Sequence, residues 1–248
     1  MCACHLLSLL CANDTGPGRI MDSLDYICDD YTKSEFERLK LVEFCAGIEG
    51  GCNFLDLCSC FGNTTMALVN GMNVAEIKAN WADEGTCAKV SKARQFKAKV
   101  TAIDLSESAV SYGVSAGIFD YGLQCDLNKW SAEQKKKMGD VMAEQDVLCA
   151  TAALVYLDLE TCDYLFERFA SKAAEGRVIV NFLNPFELEK ADETKKLLLK
   201  HFDFLGSRAT KHRRLSPFEQ KNYDGEDWAL LEIWTLARRI NVGRSAGL

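Results

Sequence analysis

Short apolar runs separated by longer amphipathic stretches set the rhythm of this chain, and each run predicts a strand. Residues 53–57 are apolar with one carboxylate, Asp56. Cys58-Ser59-Cys60-Phe61-Gly62 is small apart from one ring, and Asn63, Thr64 and Thr65 offer helix caps before Met66, Ala67, Leu68 and Val69. Together they read as strand, tight turn and helix start. Residues 99–105 (KVTAIDL) alternate and β-branch up to Asp104, after which Ser106 caps a helix running to Ala116. Residues 123–127 form a third short strand presenting Asp126. Ser131 with Gln134 three residues on opens a polar helix to Glu144. A fourth strand is expected over 146–151 and a helix over 160–174, closed by Gly176. A fifth strand follows over 177–182, then a helix over Leu188–His201.

The flanks are less regular. Residues 1–20 end in the turn-rich Asn13-Asp14-Thr15-Gly16-Pro17-Gly18 and read as a poorly ordered or loosely docked segment. Cys2, Cys4 and His5 have no second cluster at ligand spacing, so no metal site is assigned. Residues 21–51 read as a helical cap of one or two amphipathic helices, broken by Gly47, Gly50 and Gly51. Residues 241–248 are a tail. The stretch 73–95 exceeds what a crossover needs and reads as a longer helix plus a surface loop. It carries Trp81 and an Asp83-Glu84-Gly85 turn. Lys89, Lys92, Arg94, Lys97 and Lys99 read as a solvated face.

Composition narrows the class. A chain of 248 residues, 48% hydrophobic and 26% charged, suits one large α/β domain at 52–240 with decorations. A net charge of −7 argues against a general nucleic-acid binder, which needs Lys and Arg in excess. The twelve cysteines are scattered through expected strands and helices, so they suggest a reducing, cytoplasmic setting and not a disulfide framework. The apolar opening is too short to span a bilayer and lacks a basic leader region. A monomer or a homodimer is equally compatible with the sequence.

Chemistry concentrates at the strand ends. A turn of small residues lets backbone N–H groups and a helix start approach a ligand. In a doubly wound sheet, an acid ending the second strand reaches ribose hydroxyls. With Asp56, Asp104 and Asp126 ending successive strands, residues 53–236 resemble the class I S-adenosylmethionine-dependent methyltransferases. The resemblance implies a Rossmann-like, mostly parallel seven-stranded sheet with helices on both faces and an antiparallel last strand, residues 203–209 and 228–236 supplying the final hairpin. It implies S-adenosylmethionine as cofactor, with S-adenosylhomocysteine as product. The methionine part would lie in the loop of Asp56, Cys58, Ser59 and Gly62, the ribose on Asp104, and the adenine on Asp126 between Leu105 and Leu127. Thr151, Leu154 and Tyr156 would line the place where substrate and cofactor meet. Tyr26 and Tyr31 are candidate lid residues, with packing of a helix on the sheet as the alternative.

The sequence departs from that family at one place. The acidic-x-Gly-x-Gly-x-Gly loop reads Asp56-Leu57-Cys58-Ser59-Cys60-Phe61-Gly62, and cysteine does not take positive φ as cheaply as glycine. Asn184-Pro185-Phe186 is similar to the Asn/Asp-Pro-Pro-aromatic motif of amino- and amide-directed methyltransferases. It follows strand five and lacks the second proline, so no nucleobase or glutamine acceptor is assigned. Asn184 and Tyr156 remain candidate substrate contacts. His212, in the cluster Lys211-His212-Arg213-Arg214, is a candidate general base or a surface histidine, and Tyr156 is a second catalytic candidate.

The expected activity is methyl transfer to an N, O, S or C atom of a small molecule. It is achieved by proximity and alignment, with general-base help only where the acceptor must lose a proton. Two rivals remain open. An NAD(P)-dependent oxidoreductase would lack its Gly-x-Gly-x-x-Gly turn and leave Asp126 without a role. A catalytically silent methyltransferase-like partner subunit would account for the altered loop.

Overall fold

The computed structural model describes residues 35–80, 90, 92–186, 188–223 and 226–239. The strands are β1 (Cys52–Leu57), β2 (Ala98–Asp104), β3 (Tyr121–Gln124), β4 (Val147–Ala150), β5 (Arg177–Asn184), β6 (Phe202–Arg214) and β7 (Trp228–Arg238). They form one sheet in the order β3-β2-β1-β4-β5-β7-β6. β1 to β5 are parallel, and β7 runs antiparallel between β5 and β6. The helices are α1 (Glu35–Ala46), α2 (Asn63–Leu68), α3 (Val74–Asn80), α4 (Glu107–Ser115), α5 (Ala132–Glu144), α6 (Leu159–Ala170), α7 (Leu188–His201) and α8 (Pro217–Asn222).

Why the central strands are nearly all apolar follows from their having no wet face. Alternate residues point to opposite sides, so Cys52 and Phe54 enter one layer while Leu55 and Leu57 enter the other. The first layer packs Leu41 of α1, Met66 of α2, Ala109 of α4, Ile118 and Phe119. The second packs Met138 and Met142 of α5, Phe166 and Phe169 of α6, and Leu198 of α7. Each of the larger of these side chains, fully buried, contributes roughly 1.5–3 kcal/mol. Two caps are where the sequence places them. Ser106 accepts from the Ala109 N–H, and Ser131 and Gln134 form a reciprocal capping box.

Several features differ from the sequence reading: β3 spans Tyr121–Gln124, so Asp126 lies two residues past its end, and β5 runs on to include Asn184. α6 ends at Ala170, short of 174. Arg238, 2% exposed, donates to the carbonyls of Ala174 and Glu175 beyond it, of Phe169 in its last turn and of Gln145 at the end of α5. β6 continues to Arg214 with register shifts at 204–206 and 211–213, and α8 fills part of the β6–β7 connection. Arg94 is no part of a solvated face: it donates to the carbonyls of Ala98 and Ile118 and pairs with Asp120 at 2.6 Å, pinning the approach to β2. Lys97 and Lys99 do face solvent. Residues 1–34, with Cys2, Cys4 and His5, lie outside the described residues, as do Trp81, the 83–85 turn, Lys89 and the tail.

Candidate cofactor and substrate site

The loop after β1 needs a left-handed residue at every second position. Cys58, Cys60 and Gly62 have φ of 55°, 48° and 85°. The two cysteines therefore adopt the conformation that glycine takes freely, at about 1 kcal/mol each. Several contacts hold them there. The Cys60 N–H donates to Asp104 Oδ2 at 2.8 Å, and the neighbouring Ser59 N–H donates to the Ile103 carbonyl at 3.2 Å. The Cys58 side chain packs on the second apolar layer and that of Cys60 on the first, so the loop is anchored from both sides. Gly62 has no substitute. A Cβ there would come within 2.6 Å of Ile118 and 2.9 Å of Phe119.

Gly62, and none of Asn63, Thr64 and Thr65, occupies the cap position of α2. The threonines point elsewhere. Thr65 donates its hydroxyl to Asp56 Oδ2 at 2.7 Å, and Thr64 shares a 2.6 Å hydrogen bond with Thr151 beyond β4.

The carboxylates at the strand tips sit in different surroundings. Asp56 is 1% exposed, and its Oδ1 has no partner among the described residues. Burial pushes its carboxyl up to about 7, against the bond from Thr65 and with help from the charge of Asp104. Asp104, 9% exposed, accepts from the N–H groups of Cys60 and Ser106. Burial raises its carboxyl while those amides hold it down. Asp126 is half-buried and accepts from the Asn128 N–H at 3.1 Å. Leu127 is buried, whereas Leu105 is 50% exposed at the tip of β2.

On the far side of β1, Ala152 has φ 51° and donates its N–H to Asn181 Oδ1 at 2.6 Å. A 3-10 turn over Leu154–Tyr156 follows, with Leu154 buried and Tyr156 half-buried. Asn128 ties this turn to the one after β3: its Nδ2 donates to the Tyr156 carbonyl and its Oδ1 accepts from the Asp158 N–H. Asn184 is turned toward Glu232, which also receives Lys195 and Trp234. His212 falls at the second irregularity of β6, level with the end of β5, and its side chain is outside the described residues. Tyr26 and Tyr31 lie outside them as well. A cleft of about 560 Å³ between the starts of α6 and α7, lined by Asp158, Leu159, Leu188, Glu189, Lys190 and Glu193, contains none of the candidate site residues.

No family model matches the chain, and no curated protein matches it. Solved structures do. A geranyl diphosphate methyltransferase in complex with GPP and sinefungin aligns with a TM-score of 0.52 at 9% identity, over 95% of this chain and 99% of that one. The chain has the class I methyltransferase fold. Magnesium protoporphyrin IX methyltransferase from Synechocystis, with bound SAH, aligns at a TM-score of 0.48 and 14% identity, over 85% and 84% of the two chains. A geranyl diphosphate C-methyltransferase from Streptomyces coelicolor aligns at 0.48 and 10%, over 95% and 98%. Within this methyltransferase fold the tips of β1, β2 and β3 are adjacent, so Asp56, Asp104 and Asp126 lie along one edge of the strand ends. Thr151 and Tyr156 follow β4 on the other side of β1.

Proposed function

We propose that this protein is an S-adenosylmethionine-dependent methyltransferase acting on a small molecule. The observation that carries the reading is Asp104: a nearly buried carboxylate at the tip of β2, bonded to the loop after β1 through Cys60, beside the exposed Leu105. An apolar side chain left half exposed next to a positioned acid suits an adenosine, with the ribose on Asp104 and the adenine against Leu105 and Leu127 within reach of Asp126. The residues present fit the cofactor's other end too. Asp56 Oδ1 and Ser59 Oγ are buried polar atoms without partners among the described residues, and a ligand amine in the loop of Asp56, Cys58, Ser59 and Gly62 would give the carboxylate its missing donor.

The cofactor supplies a methyl group already activated on a sulfonium. The protein's tasks are then to hold the acceptor in line and to keep water out. Thr151, next to the loop helix through Thr64, and Tyr156 are assigned to that wall. Tyr26 and Tyr31 are assigned to cover the cofactor, Asn184 to the outer acceptor pocket, and His212 or Tyr156 to any proton that must leave. No helix among the described residues is long and apolar enough to cross a membrane. The net charge of −7 suits a small acceptor better than a nucleic acid. A reducing, cytoplasmic compartment suits the described cysteines, which are free thiols.

The β7 strand set antiparallel between β5 and β6 weighs against a dinucleotide-dependent oxidoreductase, whose sheet runs 3-2-1-4-5-6. One observation favours a silent methyltransferase-like subunit: the two cysteines at left-handed positions of the loop. Titration calorimetry with S-adenosylmethionine and S-adenosylhomocysteine separates the two. The enzyme reading expects saturable binding, lost by about tenfold or more in Asp104→Ala when charge-assisted ribose contacts go. It also expects conversion of labelled cofactor to S-adenosylhomocysteine with an acceptor pool. Absence of binding at millimolar ligand overturns it.

A further inference from the structure

We infer that Asn181 is a positioning residue that sets the loop after β4 against the methyl-bearing cofactor; the inference rests on the methyltransferase reading above. Ala152 sits in the left-handed region, which an L-residue enters reluctantly. Its side chain is exposed, so packing does not impose that conformation. The contact that does is the 2.6 Å hydrogen bond from its N–H to Asn181 Oδ1.

Asn181 is itself 7% exposed and locked into β5, opposite Ile233 of β7, so its carboxamide is a fixed point. One residue earlier, Thr151 is bonded to Thr64 of α2, the helix that follows the cofactor loop. Consecutive residues of the β4 loop are thus pinned from two sides, by β5 and by the helix of the cofactor loop. A backbone held this way keeps its position without help from the acceptor, and it does so where the methyl group would be presented.

S-adenosylmethionine and S-adenosylhomocysteine differ at that methyl and its charge, so their affinity ratio reads the loop's placement apart from general stability. The test is calorimetric Kd for both compounds, with urea midpoints, on the full chain and on Asn181→Ala, Asn181→Asp and Ala152→Val. Asn181→Ala is expected to weaken S-adenosylmethionine about fivefold more than S-adenosylhomocysteine, the effect of one lost hydrogen bond. Asn181→Asp keeps the acceptor oxygen and adds a negative charge that favours the sulfonium, so its ratio is expected to hold or rise in favour of S-adenosylmethionine. Ala152→Val, at an exposed site where a β-branched residue resists positive φ, reproduces the change without touching the core. Equal weakening of both ligands, or a shift in stability alone, overturns the inference while leaving the methyltransferase reading in place. Failure of the unaltered protein to bind either compound overturns both.

Discussion

Replacing Asp56 by Asn tests the electrostatics of the loop after β1 directly. The carboxyl has an ordinary value of 3.8 and is pushed up to about 7 by burial. Its folded state therefore holds a proton that the unfolded chain releases earlier. Stability contributed by the protonated group is complete below pH 3.8 and is lost as the pH rises toward and through 7. A displacement of about three on the pH scale, at 1.36 kcal/mol each, makes the full loss about 4 kcal/mol above pH 7. At pH 5 only about 1.6 kcal/mol of it has been lost, leaving about 2–3 kcal/mol to appear between pH 5 and pH 8. The Asn side chain keeps an acceptor for Thr65, does not titrate, and carries no charge to repel that of Asp104. Urea denaturation of both proteins at pH 5, 6, 7 and 8 is expected to show Asp56→Asn gaining on the parent by that amount as the pH rises. A stability difference that stays flat across the range would refute the assignment of Asp56 as a carboxyl strained by burial.

Two further substitutions probe the scaffold. Gly62→Ala combines positive φ with close approach to Ile118 and Phe119, so it is expected to destabilise by about 2–4 kcal/mol in chemical denaturation and to abolish cofactor binding. Arg238→Met strips the donors from four carbonyls and is expected to lower stability by about 3 kcal/mol, with the unfolding transition remaining single.

What could be read from the sequence was local. Ser106, Ser131 and Gln134 act within three residues of themselves, and Asp56 and Asp104 are marked by ending apolar runs. The contacts that complete the site join residues far apart: Thr64 with Thr151, Asn181 with Ala152, Asn128 with Tyr156. No periodicity announces such pairs, because each partner is an ordinary polar or small residue in its own segment. The left-handed turns at Cys58 and Cys60 carry no glycine and show only through the glycine positions of the loop they resemble, and Arg238, two residues past the expected last strand, is unmarked until its carbonyl partners are in place. α8 did leave a signal, Ser216 with Pro217 and Glu219, but it sits inside what looks like a hairpin connection.

The placement of β7 has a consequence for biosynthesis. β6 emerges from the ribosome before the strand that must lie between it and β5, so neither has its neighbour until residues 228–238 have been made. Until then the nascent sheet carries an open flank along β5, a surface on which chaperones or stray strands can settle. Arrest of translation within the last strand should therefore yield sticky, protease-sensitive chains, and release of those eleven residues should close the sheet in one step.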